Sequence, residues 1–184
     1  MSETEDSRYQ LLDNNAQAVR ALMQAVEGTI GPKGLDTMLL DQFGSVTITN
    51  DGMTILEMME VKHPVAKMLI NAVKSQQETT GDGTTTTALY AGEMILAGIE
   101  RINQGVPVAQ GIKGIRMGLV MAEDEWQKER ITLDFHDTAA LKQIAQVAAR
   151  EYDDIALLIT EAAEKIGEER LKDPTFAFAE SIKA

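Results

Sequence analysis

The sequence predicts a mainly helical fold: a multihelical bundle with one small β-hairpin, followed by a C-terminal helical pair. Three observations carry this. Apolar residues recur at helical spacing from Asn15 through most of the chain. Only one stretch, between Thr37 and Thr49, is rich in Val, Ile and Thr in the manner of paired strands. Glycine turns stand repeatedly where a helix would start or stop.

Taken in order, Asn15 to Ile30 spaces Ala18, Leu22, Ala25, Val26 and Ile30 as one helix face, with Asp13 and Asn14 as capping candidates. Gly31-Pro32-Lys33-Gly34 ends it. Thr37–Asp41 and Ser45–Thr49 read as strands around Gln42-Phe43-Gly44. Asn50-Asp51-Gly52 is a turn that opens a helix to about Met59. After Val61-Lys62-His63, Pro64 suits the first turn of the next helix. That helix is expected to bury Val65, Met68, Leu69, Ala72 and Val73. Further helices are expected from Thr84 to Ile102 and from Ala109 to about Arg130. Ile131-Thr132-Leu133-Asp134 reads as a linker, dividing the chain into 1–130 and 131–184. Beyond it, Leu141, Ile144, Ala148, Ile155, Leu158, Ile159, Ala162 and Ile166 form a two-helix amphipathic pattern, interrupted near Glu151–Asp154. The tail after Gly167, with Pro174 and two phenylalanines, shows no usable period.

Composition narrows the function classes. A chain of 184 residues that is 44% apolar supports a real core. A net charge of −12 argues against nucleic acid as partner, since phosphate backbones are bound by clustered Lys and Arg. Any bound polyphosphate would need a metal ion or backbone dipoles to offset repulsion. With no cysteine, thiolate catalysis and thiolate-ligated metals are excluded. The acidic start MSETEDSRYQ is no signal peptide, and no apolar run reaches spanning length, so the expectation is a cytoplasmic chain without membrane contact. The ten methionines read as core filler and Trp126 as a partly buried helix residue. His63 and His136 stand alone, without further metal ligands beside them.

The glycine turns carry the chemistry. A helix N-terminus offers free N–H groups and a positive dipole end, which suit an anion. In Gly81-Asp82-Gly83-Thr84-Thr85-Thr86-Thr87, four β-branched residues are a poor way to continue a helix but an acceptable first turn. Their hydroxyls can donate to phosphate oxygens. Asp82 suits Mg²⁺, which takes one or two carboxylates plus phosphate and water oxygens. Asp51 could orient an attacking water near a terminal phosphate. Taken alone, a glycine pair around an aspartate is more often a plain helix cap, and no Walker loop is present.

The order TIGPKG (29–34), VTITNDGMTIL (46–56) and GDGTTTT (81–87) resembles the ATP-binding equatorial domain of chaperonins, closest to the thermosome-type group II branch and its bacterial relatives. HPVAKMLI (63–70) and GIKGIRMG (111–118) are similar to the same family. The resemblance covers about residues 11–130 and runs more loosely to Gly167, as the start of an intermediate domain. It implies a chaperonin-like equatorial bundle that binds ATP or ADP with Mg²⁺. Thr29, Gly31, Pro32, Lys33 and Gly52 would border the nucleotide, with Asp51 near the γ-phosphate. Asp82 would hold Mg²⁺, and Gly83, Thr84, Thr85 and Thr86 the phosphate oxygens.

The family continues into a client-binding apical domain and returns with a catalytic aspartate and much of the adenine pocket. Those segments are outside these 184 residues, so the resemblance implies nucleotide binding with little hydrolysis. Unfolded clients would be reached only through the apical domain. Apolar faces around Leu69, Leu89, Ile95 and Leu119 are expected to be exposed, favouring a homo-oligomer or docking onto other chaperonin-like subunits. The alternative is an assembly scaffold that keeps the fold without productive nucleotide binding. An excised piece of a complete chaperonin also fits.

Overall fold

The structure, a computed structural model, describes residues 3–31, 33–41, 43–149, 152–173 and 175–176, with the backbone alone at 3–6 and 8. The readings made for Pro32, Gln42, Glu151, Pro174 and the tail from Ala177 lie outside the described residues. The chain forms two compact units, Met1–Glu125 and Trp126–Ala184. Eight helices and two strands are described: α1 Glu3–Glu27, β1 Thr37–Leu40, β2 Val46–Thr49, α2 Gly52–Met58, α3 Pro64–Thr80, α4 Thr84–Asn103, α5 Val108–Glu129, α6 Thr138–Ala149, α7 Asp153–Ile166 and α8 Glu168–Leu171. Among the described residues, no helix is long and apolar enough to cross a membrane.

Helix α1 begins well before the capping candidates Asp13 and Asn14 and stops at Glu27, short of Ile30. Half-buried Leu12 extends the stripe of Ala16, Val19, Met23 and Val26 by one turn, and propagating an existing helix adds a hydrogen bond for each residue fixed. Ile30 is exposed, because the chain has already turned at Gly28.

The core of the first unit gathers Val19, Leu22, Met23 and Val26 of α1 with Met53, Ile55 and Leu56 of α2, Ala66, Leu69 and Val73 of α3, and Ala88 of α4. Full burial of a Leu or Ile side chain contributes roughly 2 kcal/mol. Helices α1 and α4 meet at Gly92, where a Cβ would lie 2.7 Å from Met23 Cγ. The buried line on α3 is narrower than the sequence pattern indicates. Val65 is half-buried, while Met68 and Ala72 are exposed, about a hundred degrees round from Leu69 and Val73. Leu69 is buried and Leu89 and Ile95 are half-buried, so the expected open faces there are closed by the mutual packing of α1, α3 and α4; Leu119 on α5 is exposed as expected.

The hairpin pairs antiparallel, Thr37 with Thr49 through Leu40 with Val46. Its alternation is inverted relative to a half-buried strand. Thr37, Leu39, Thr47 and Thr49 are half-buried, while Met38, Leu40, Val46 and Ile48 are 56–71% exposed.

In the second unit, α6 and α7 pack along small residues: Ala156 and Thr160 are buried, and Ala145, Ala149 and Ala163 are half-buried. The buried Thr160 hydroxyl donates to Ala156 O at 2.8 Å. Leu141, Ala162 and Ile166 are half-buried, but Ile144, Ala148, Ile155, Leu158 and Ile159 are exposed. Two helices alone bury a narrow seam, and alanines let them approach most closely, which leaves the bulky residues outside. Trp126 is 57% exposed rather than partly buried.

Candidate functional site

Three turns converge on the start of α4. The first follows α1. Thr29 is 5% exposed, its N–H bonding Val26 O at 3.0 Å and its hydroxyl donating to the same oxygen at 2.8 Å. Gly31 is left-handed at φ +79, and Leu35 N–H closes the loop onto Gly28 O at 2.8 Å. Lys33 is exposed, and Pro32 lies outside the described residues.

The second turn places Asp51 as the N-cap of α2. Its Oδ2 accepts from Thr54 N–H at 2.8 Å and from Thr54 Oγ1 at 2.6 Å. A cap of this kind stabilises a helix by about 1 kcal/mol. Thr49 Oγ1 accepts from Asp51 N–H at 3.1 Å, and Asn50 Nδ2 donates to Asp36 Oδ1 at 3.1 Å. Those bonds tie the strand ends to the turn.

The third turn joins α3 to α4 through three residues. Gly81 caps α3 and Gly83 caps α4, both left-handed at φ +75 and +80, with Asp82 alone between them. A side chain at either glycine would be strained, because that region brings Cβ against the backbone. Gly81 N–H bonds Gln77 O at 2.9 Å, and Gly83 N–H bonds Asp82 Oδ1 at 2.7 Å. Asp82 is exposed, and no other described donor is bonded to its carboxylate. Helix α4 starts at Thr84, so the whole threonine run occupies its first turn. Thr87 N–H bonds Gly83 O at 2.9 Å, which leaves the N–H groups of Thr84, Thr85 and Thr86 as the free donors of the helix end. Thr84 is buried, Thr85 half-buried and Thr86 exposed.

Thr85 joins the turns. Its Oγ1 is 3.2 Å from Thr29 Oγ1. Gly52 lies so close that a Cβ there would be 2.5 Å from Thr85 Oγ1 and 3.2 Å from its Cα. Thr29, Gly52, Thr84 and Thr85 are thus brought into one place, with Asp51 next to Gly52 and Asp82 two residues before Thr84. Thr54 and Gln76 were missed in the sequence reading as supports. Gln76 Nε2 donates to Asp82 O at 3.0 Å, reaching over the turn from the last part of α3. Its signal was a long amide donor one turn before a glycine cap; that of Thr54 was a capping spacing after Asp51.

The donor set suits a phosphate with a cation. Among the described residues no group of three His, Asp or Glu side chains could hold a metal by itself. A cation here would take Asp82 together with oxygens of the ligand, which is how Mg²⁺ is commonly held.

This arrangement of helices around three glycine turns is that of a chaperonin equatorial domain. The fold matches a crystal structure of a group III chaperonin in the open state with a TM-score of 0.77 at 41% identity, over 92% of this chain and 34% of that one. The sequence model of the TCP-1/cpn60 chaperonin family matches residues 22–181, and the chain belongs to that family. Thermosome subunit alpha of Archaeoglobus fulgidus is 39% identical over 160 residues, 84% of this chain and 29% of that protein. A thermosome subunit of Methanopyrus kandleri is 37% identical over 163 residues, 84% of this chain and 30% of that protein. The chain therefore spans about a third or less of these relatives.

Proposed function

We propose that this chain is a nucleotide-binding chaperonin module that takes Mg²⁺ with ATP or ADP by the phosphates and serves protein folding as part of a chaperonin assembly. The observation that carries the reading is the convergence of three glycine turns on free N–H groups beside the exposed Asp82 carboxylate. Asp82 would hold Mg²⁺. Gly31, Lys33, Gly52 and Gly83, with the free N–H groups of Thr84, Thr85 and Thr86, would surround the phosphates. Asp51 would face the terminal phosphate. For these 184 residues the proposal is nucleotide binding. Calorimetric titration with Mg-ADP and Mg-ATP tests this. Wild type is expected to release heat, and Asp82→Ala to weaken Mg²⁺-dependent binding about tenfold. A flat wild-type titration overturns the nucleotide reading, and an unaffected Asp82→Ala overturns the metal assignment.

The scaffold reading has its own support in the outward apolar face of the hairpin and in exposed Ile112, Met117, Leu119, Val120 and Met121 on α5. Exposed apolar surface of this kind favours association, so assembly with itself or with other chaperonin subunits belongs to the proposal. Sedimentation at micromolar concentration is expected to give a mass above the 20.1 kDa of one chain. A compact monomer there would count against assembly.

A further inference from the structure

The hydroxyl of Thr29 has one hydrogen, and it is spent on Val26 O at 2.8 Å. In the 3.2 Å contact between the two threonine hydroxyls, the donor is therefore Thr85. A hydroxyl that donates to Thr29 cannot at the same time donate to a phosphate. The same side chain is the surface on which Gly52 rests, since a Cβ at residue 52 would collide with Thr85 Oγ1 at 2.5 Å. One half-buried side chain thus meets the first turn and the second, while its own backbone lies in the first helical turn of α4, directly after the third.

We propose that Thr85 is the positioning residue of the phosphate site, its hydroxyl clamping the Thr29 turn to the start of α4 while its backbone N–H faces the ligand. The proposal rests on the nucleotide reading and assigns different work to neighbouring threonines. Thr86, exposed and without such a bond, keeps its hydroxyl for phosphate; Thr85 offers only its N–H.

Thr85→Val keeps the shape and removes the donor. In nucleotide-free protein it is expected to speed amide hydrogen exchange at Leu35, whose N–H closes the first turn onto Gly28 O. Mg-ADP affinity is expected to fall about fivefold, the effect of one ordinary hydrogen bond. Thr85→Ser should restore both. Because the clamp acts through Thr29, the affinity losses of Thr29→Val and Thr85→Val should not add. Additive losses would mean that the Thr85 hydroxyl contacts phosphate directly and would overturn the proposal. Unchanged exchange at Leu35 would overturn it even if the wild type binds no nucleotide, while faster exchange with a flat wild-type titration would retain the clamp and remove its phosphate role.

Discussion

Gly34→Ala is expected to lower the unfolding free energy of the first unit by about 3 kcal/mol, the upper part of the range for forcing atoms into filled space. The glycine is there for room, not for an unusual backbone angle. A Cβ at residue 34 would overlap Thr29 O, lie 2.5 Å from the Thr29 carbonyl carbon and 3.1 Å from Gly31 O. These are backbone atoms, so no rotamer change relieves the clash. Relief requires opening the loop and breaking Gly34 N–H to Gly31 O at 3.0 Å and Leu35 N–H to Gly28 O at 2.8 Å. Thr29 then moves with its carbonyl and pulls away from Thr85. Urea unfolding at fixed protein concentration measures the stability loss, and titration with Mg-ADP should show a loss of at least about tenfold. A variant with the wild-type midpoint would show that the loop relaxes freely and that its closure does not hold the site.

Legibility from sequence followed the strength of the local signal. The threonine run was placed correctly in a first helical turn because four β-branched residues after a glycine conflict with a helix interior and agree with its start. The hairpin and Asn50-Asp51-Gly52 were legible for similar reasons, each being a short stretch with its own turn chemistry. Burial was less legible. Met68 and Ala72 are apolar and at helical spacing, yet a neighbour covers only part of the face they share with Leu69. In α6 and α7 the pattern located the helices and the half-buried Leu141, Ala162 and Ile166 but not the rest of the seam, which takes Ala145, Ala149, Ala156 and Thr160 and sends Ile144, Ile155, Leu158 and Ile159 outward. The convergence of the turns on Thr85 depends on contacts 33 and 56 positions apart, which no local pattern encodes.

Leu56→Ala is the second large effect, again about 3 kcal/mol, from lost transfer free energy and the cavity left behind. Leu56 is 1% exposed, and α2 has only the seven residues Gly52–Met58. A helix of two turns has little stability of its own, so its position is set by what it buries. Met53, Ile55 and Leu56 anchor it to α1 and α3, and through it fix the Asp51 cap and the approach of Gly52 to Thr85. The loss should therefore reach the site as well as the core. Mg-ADP should raise the urea midpoint of Leu56→Ala less than that of wild type, because part of the binding energy goes to restoring α2. Met58→Ala is the matched control: the same helix, a side chain 37% exposed, and a stability change within about 1 kcal/mol. If the ligand raised both midpoints equally while Leu56→Ala remained destabilised, burial of α2 would hold the fold without positioning Asp51 and Gly52. The second turn would then be held from the strand side, through Thr49 and the Asn50–Asp36 bond.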